Sequence, residues 1–118
     1  MTVIGISYTQ GIGTVADPVK GVDWYRKAAE LMDARGMNQL GVCYLDGIGT
    51  NRDPEKAVMW FRNAAELGDV TGMYNLGLCY GNGIGTKQDT KKAIEWIRKA
   101  ANLGDEDAKK QLIKLGLK

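Results

Sequence analysis

Few side chains in this chain could do chemistry. There is no histidine, which removes the commonest general base and the commonest metal ligand. Ser7 is the only serine, and no lysine follows three residues on, so the Ser-x-x-Lys nucleophile is absent. Cys43 and Cys79 are the only cysteines and lie 36 residues apart. Equivalent points of stacked helical units are about 10 Å apart, whereas a disulfide needs Cα atoms within about 7 Å. Both are therefore expected as free thiols acting as small, partly buried fillers. Asp17, Asp53 and Asp89 keep the same interval, each in its own turn and too far from the next to share an ion. They are expected as helix caps. Gly-Ile-Gly-Thr begins at Gly11, Gly47 and Gly83; it lacks the Gly-Lys-Ser/Thr ending of a phosphate loop and reads as a structural turn. No catalysis, metal or cofactor is expected.

The interval that spaces these residues runs through the whole chain. Gly5, Gly41 and Gly77 obey it, as do Tyr8, Tyr44 and Tyr80, and Trp24, Trp60 and Trp96. Residues 37–72 and 73–108 share 19 identities in 36 aligned positions. Such self-similarity marks a repeat architecture. Within the middle unit, Met37, Leu40, Gly41 and Tyr44 form one stripe of a helix, which the glycines of the turn then close. Asp53 is placed as an N-cap and Pro54 as the first helical residue. Ala57, Trp60, Phe61, Ala64 and Leu67 then give a second stripe. The expected fold is all-α, a solenoid of three 36-residue helix pairs plus a capping helix. One domain spans 1–118, with repeats at about 1–32, 33–68 and 69–104 and the cap at 105–118. Seven helices follow. Gly41 and Ala64 are expected at helix crossings. The recurring tryptophans are expected in the core.

Composition agrees with a compact domain and limits its partners. Hydrophobic residues make up 44% and charged ones 25%, ordinary for a folded protein. No apolar run approaches the roughly 20 residues of a membrane span. Net charge is +2, with −2 over residues 1–86 and +4 over 87–118, too sparse for a nucleic-acid footprint. The first residues show neither a basic leader nor a cleavage site. With the unpaired cysteines, that favours the cytoplasm. Residues 1–10 read as one helix carrying Val3, Ile4 and Ile6 with no helix before it, so an open apolar stripe is expected to mediate homodimerisation.

The pattern resembles the Sel-one-like repeat family, relatives of the tetratricopeptide repeats. Asn75-Leu76-Gly77, Tyr80, Gly83-Ile-Gly85, Asp89, Lys92-Ala93, Trp96 and Lys99-Ala100-Ala101 carry the likeness in the third unit. Trp24-Tyr25 and Lys27-Ala28-Ala29 carry it in the first, and Lys56-Ala57 and Trp60-Phe61 in the second. Gln39 stands where the family has Asn, Ile97 where an aromatic follows the tryptophan, and Gly21 where Ala follows the lysine. The resemblance implies a right-handed superhelix that binds protein partners, often in bacterial assemblies. One class of relatives is linked to β-lactam binding and hydrolysis, but this chain lacks the chemistry just described. Cysteine-rich relatives pair two cysteines within one repeat, a pattern missing here.

The resemblance also implies that the first helix of each pair lines a concave face. By helical phase that face holds Arg35, Asn38, Val42 and Leu45, then Thr71, Tyr74, Leu78 and Asn82. Ile6 and Gln10 extend it, and Lys110 and Lys114 close it. Ile6, Val42 and Leu78 would form an apolar strip able to hold a helix or extended peptide. The expected function is a protein-binding scaffold. The alternatives are a segment of a longer solenoid or a self-associating regulator.

Overall fold

The computed structural model describes residues 18–116. These fold into six helices: α1 (Pro18–Glu30), α2 (Ala34–Asp46), α3 (Pro54–Glu66), α4 (Val70–Asn82), α5 (Thr90–Asn102) and α6 (Glu106–Lys114). No strand occurs among the described residues. The expected helix at 1–10, with Ile6 and the self-association surface assigned to it, lies outside them.

The boundaries follow from capping chemistry. Asp53 accepts a hydrogen bond from the Lys56 N–H, with Pro54 opening α3, and Asp89 accepts one from Lys92 N–H at the start of α5. Asp33, Asp69 and Asp105 cap α2, α4 and α6 in the same manner. Each aspartate satisfies N–H groups that a helix start otherwise leaves unpaired. At the far ends of α2 and α4, Gly47 and Gly83 take left-handed angles, φ 70° and 66°, and return their N–H to Cys43 and Cys79 carbonyls. A side chain is disfavoured in that conformation, which is why glycine recurs in the turn.

Consecutive helices pack against one another, and α2 also touches α4 directly. The core is a continuous column through Leu40, Ala57, Phe61, Ala64, Leu76, Ile97 and Ala100, all buried. Gly41 and Gly77 lie at the crossings. A Cβ built on Gly41 would sit 2.6 Å from the Phe61 ring, and one on Gly77 would sit 2.6 Å from Ile97. That is far inside van der Waals contact, so the helices approach this closely only over glycine.

A second device joins one repeat to the next. Arg26 of α1 donates to the Tyr44 hydroxyl at 3.4 Å, and Arg62 of α3 donates to that of Tyr80 at 2.8 Å. Lys56 and Lys92 lie 5.4 Å from the centroids of the same two rings. Each tyrosine is thus buried by packing and held at its hydroxyl end by the previous repeat.

The tryptophans depart from expectation. Trp24 is 62% exposed, and Trp60 and Trp96 are only half-buried, packed against the edge of the core. The inner positions of α3 and α5 belong to Ala57, Phe61, Ala64 and their counterparts. A tryptophan next to that stripe falls on its flank, so recurrence at 36 residues reports a repeated environment without requiring a buried one.

Candidate functional site

The face formed by α2, α4 and α6 was the expected binding surface, and its residues divide into three groups. Arg35, Thr71, Asn82, Lys110 and Lys114 are exposed. Leu45, Tyr74 and Leu78 are half-buried against the core. Asn38 and Val42 are buried, at 3% and 0% exposure, and so are not available to a partner. The apolar strip as drawn from phase therefore loses Val42. The reason is the direct α2–α4 contact. Helical phase separates the side facing the second helices from the rest, but part of the rest is taken by the neighbouring first helix.

That contact is polar at its centre. Asn75 Nδ2 donates to Asn38 Oδ1 at 2.8 Å, with both side chains buried. Asn75 Oδ1 and Gln39 Oε1 are buried without a hydrogen-bond partner. Buried polar atoms are almost always paired, so two unpaired acceptors on one face mark a special place. A recess of about 90 Å³ opens at Gln39, lined also by Arg35, Asn38, Asp69 and Thr71. Burial pushes the Asp69 carboxyl above its ordinary value, opposed by the hydrogen bond from Gly72 and by the Arg35 charge. Burial likewise raises the Tyr74 phenol, with Asp107 and Asp105 adding to it. Acidic groups therefore stand beside Tyr74, and Lys110 lies further along α6. Sequence reasoning missed Gln39. Its one signal was a polar side chain beside the buried stripe of Leu40, where an acceptor is left without a donor.

The chemistry of the remaining reactive groups is quiet. Cys43 and Cys79 are both free and buried. Burial raises each thiol to about 11, with Asp46 adding to the effect at Cys43. A thiol so raised is a poor nucleophile at neutral pH. No group of three or more metal-ligating side chains occurs among the described residues. No helix among them is long and apolar enough to cross a membrane.

Comparison with known proteins fits this architecture. The Sel1 repeat model matches residues 1–31, 34–69 and 70–105. The Sel1 repeat protein from Oxalobacter formigenes is similar, at 34% identity and TM-score 0.79, over 90% of this chain and 31% of that one. The Helicobacter pylori cysteine rich protein B matches at 33% identity and TM-score 0.70, over 74% of this chain and 65% of that one. A protective antigen present in uropathogenic Escherichia coli strains, displaying an SLR fold, matches at 36% identity and TM-score 0.85. It covers 98% of this chain and 25% of its own. The chain thus spans less than two thirds of each of these proteins. No curated protein matches it. Sel1 repeat proteins generally serve as scaffolds for protein–protein interaction. Three matched repeats over most of the chain, on an all-α solenoid that resembles solved members over 74% to 98% of its length, place this protein in the Sel1 repeat family.

Proposed function

We propose that the protein is a non-catalytic scaffold that binds a partner protein along the concave face of α2, α4 and α6, in the cytoplasm of a bacterium. The observation that carries this reading is the unpaired amide oxygen of half-buried Gln39, Oε1, in the lining of the Arg35–Thr71 recess. A peptide laid across the face offers a main-chain N–H to that acceptor once the Gln39 amide turns outward. Tyr74 and Leu78 give it apolar contact, and Arg35 and Lys110 bracket it with positive charge. This is groove recognition of a peptide or helix.

The test is a photo-crosslinking amino acid placed at Thr71, with the same group at exposed Lys91 of α5 as the control. The expected result is one partner captured at position 71 and not at 91, lost in Tyr74→Ala with helicity unchanged. Equal capture at both positions would place the binding surface elsewhere.

A further inference from the structure

The outer side of the molecule holds a different cleft. Where α1 runs out, Met32, Met37, Trp60 and Leu67 wall a cleft of about 410 Å³ between the ends of α1 and α3, with Glu30 and Glu66 among its lining. Three observations set it apart. Met32 has φ 65°, the single non-glycine residue in the left-handed region among those described. The equivalent positions in the next two repeats are Gly68 and Gly104, at φ 94° and 101°. A side chain in this conformation carries strain, and strain retained in a folded protein clusters where function uses it. Met32 is also 64% exposed, and Leu67 is exposed beside it, so apolar surface is turned outward. Finally, both charged residues of the lining are acidic, and neither joins the two ion pairs found among the described residues, Arg26–Asp23 and Lys109–Glu106.

The next repeat does not reproduce this arrangement. Met32 gives way to Gly68, Asn63 to Lys99 and Glu66 to Asn102. The flexible wall is gone, and a positive charge stands where the first cleft has a neutral amide. Lys99 lies over the Trp96 ring at 5.1 Å, covering the aromatic face.

We infer that the cleft between α1 and α3 is a docking site for a partner segment that inserts one large apolar or aromatic side chain flanked by Lys or Arg. The methionines and Trp60 receive the anchor. An unbranched thioether adapts its shape to what enters, which suits a pocket for a side chain. Glu30 and Glu66 receive the flanking cations, and their charge complementarity sets the orientation and register of the segment. Apart from Met37 of α2, the lining comes from α1, α3 and the residues just after them, and it shares no residue with the Arg35–Thr71 recess, so the two sites are tested separately.

The test uses the whole protein carrying ¹³C-methyl methionine, titrated with capped Arg-Arg-Phe-Arg-Arg. Met73, the counterpart of Met37 in the next repeat, is the internal control. We expect saturable shifts of the Met32 and Met37 methyl signals while Met73 stays still. Binding should weaken at least tenfold for Arg-Arg-Ala-Arg-Arg and for Glu-Glu-Phe-Glu-Glu. Met32→Gly removes one wall and relieves the backbone, so it should raise the thermal midpoint and weaken binding together, which no loss of folding can imitate. Glu30→Gln with Glu66→Gln should weaken it likewise. The inference is overturned by equal movement of Met73, by no shift at millimolar peptide, by indifference to the central side chain or the flanking charge, or by unchanged affinity in Met32→Gly.

Discussion

Helices α2 and α6 stand in the same register two repeats apart, yet among the described residues only α2 is crossed by a following helix. On α2, Leu40, Gly41 and Cys43 are buried. Their counterparts are Leu112 and Ile113 on α6 and Leu115 at its C-cap. Leu112 remains buried because it faces α5, but Ile113 is 72% exposed and Leu115 is 51% exposed. A single register thus contains two sorts of apolar position. One is buried by the helix before, and the other only by a helix crossing after. Glycine is needed solely at the second. Ile113 could not accept the crossing that Gly41 makes with Phe61, since even a Cβ there meets the ring at 2.6 Å.

The largest effect is expected where the crossing is tightest. Gly41→Leu should lower unfolding free energy by about 3 kcal/mol, the upper end of overpacking, as read from urea denaturation. An unchanged midpoint would mean that the α2–α3 approach is looser than described and would dissolve the contrast with α6.

A pH series probes the buried thiols of the crossed helices. The folded state raises Cys43 and Cys79 to about 11 from an ordinary 9.0, so it holds their protons while the unfolded chain releases them. Stability is undiminished below pH 9 and falls as pH rises from 9 toward 11, by at most about 1.4 kcal/mol per pH unit for each thiol. The Cys43→Ala, Cys79→Ala double variant should flatten this slope. Equal slopes in the two proteins would show that the thiols already titrate in the folded state.

A smaller effect separates α4 from α6 at another shared position. Asn75→Ala takes the donor from buried Asn38 Oδ1 and should cost about 2 kcal/mol, the desolvation penalty of an orphaned acceptor. Gln111, its counterpart on α6, is half-buried, and Gln111→Ala should cost markedly less by the same chemical denaturation. Comparable losses would deny the α2–α4 contact its special role.

The smallest expected effect is at the uncrossed glycine position. Ile113→Ala should change stability by no more than about 0.5 kcal/mol, as for an exposed site whose replacement favours helix. A loss of several times that in a calorimetric scan would mean that something covers Ile113.

The repeat period, the helix boundaries and the all-α class were legible in the residues themselves. They depend on local chemistry: an aspartate that caps, a proline that starts a helix, a glycine that closes one, and apolar spacing of three and four. Gly41 was legible at its crossing because a missing side chain within an apolar stripe has few other uses. The binding face was only partly legible. Phase could tell inward from outward relative to one neighbour, but Val42 and Asn38 answer to a second neighbour, α4, whose direction no single-helix pattern contains. Trp60 was misplaced for the same reason, since the flank and the centre of a stripe differ by about one residue of rotation. The orphaned oxygens of Gln39 and Asn75 needed tertiary structure altogether. Whether an amide finds a partner depends on atoms several helices away, and so does the cleft at Met32, which exists only where the end of one helix meets the side of another.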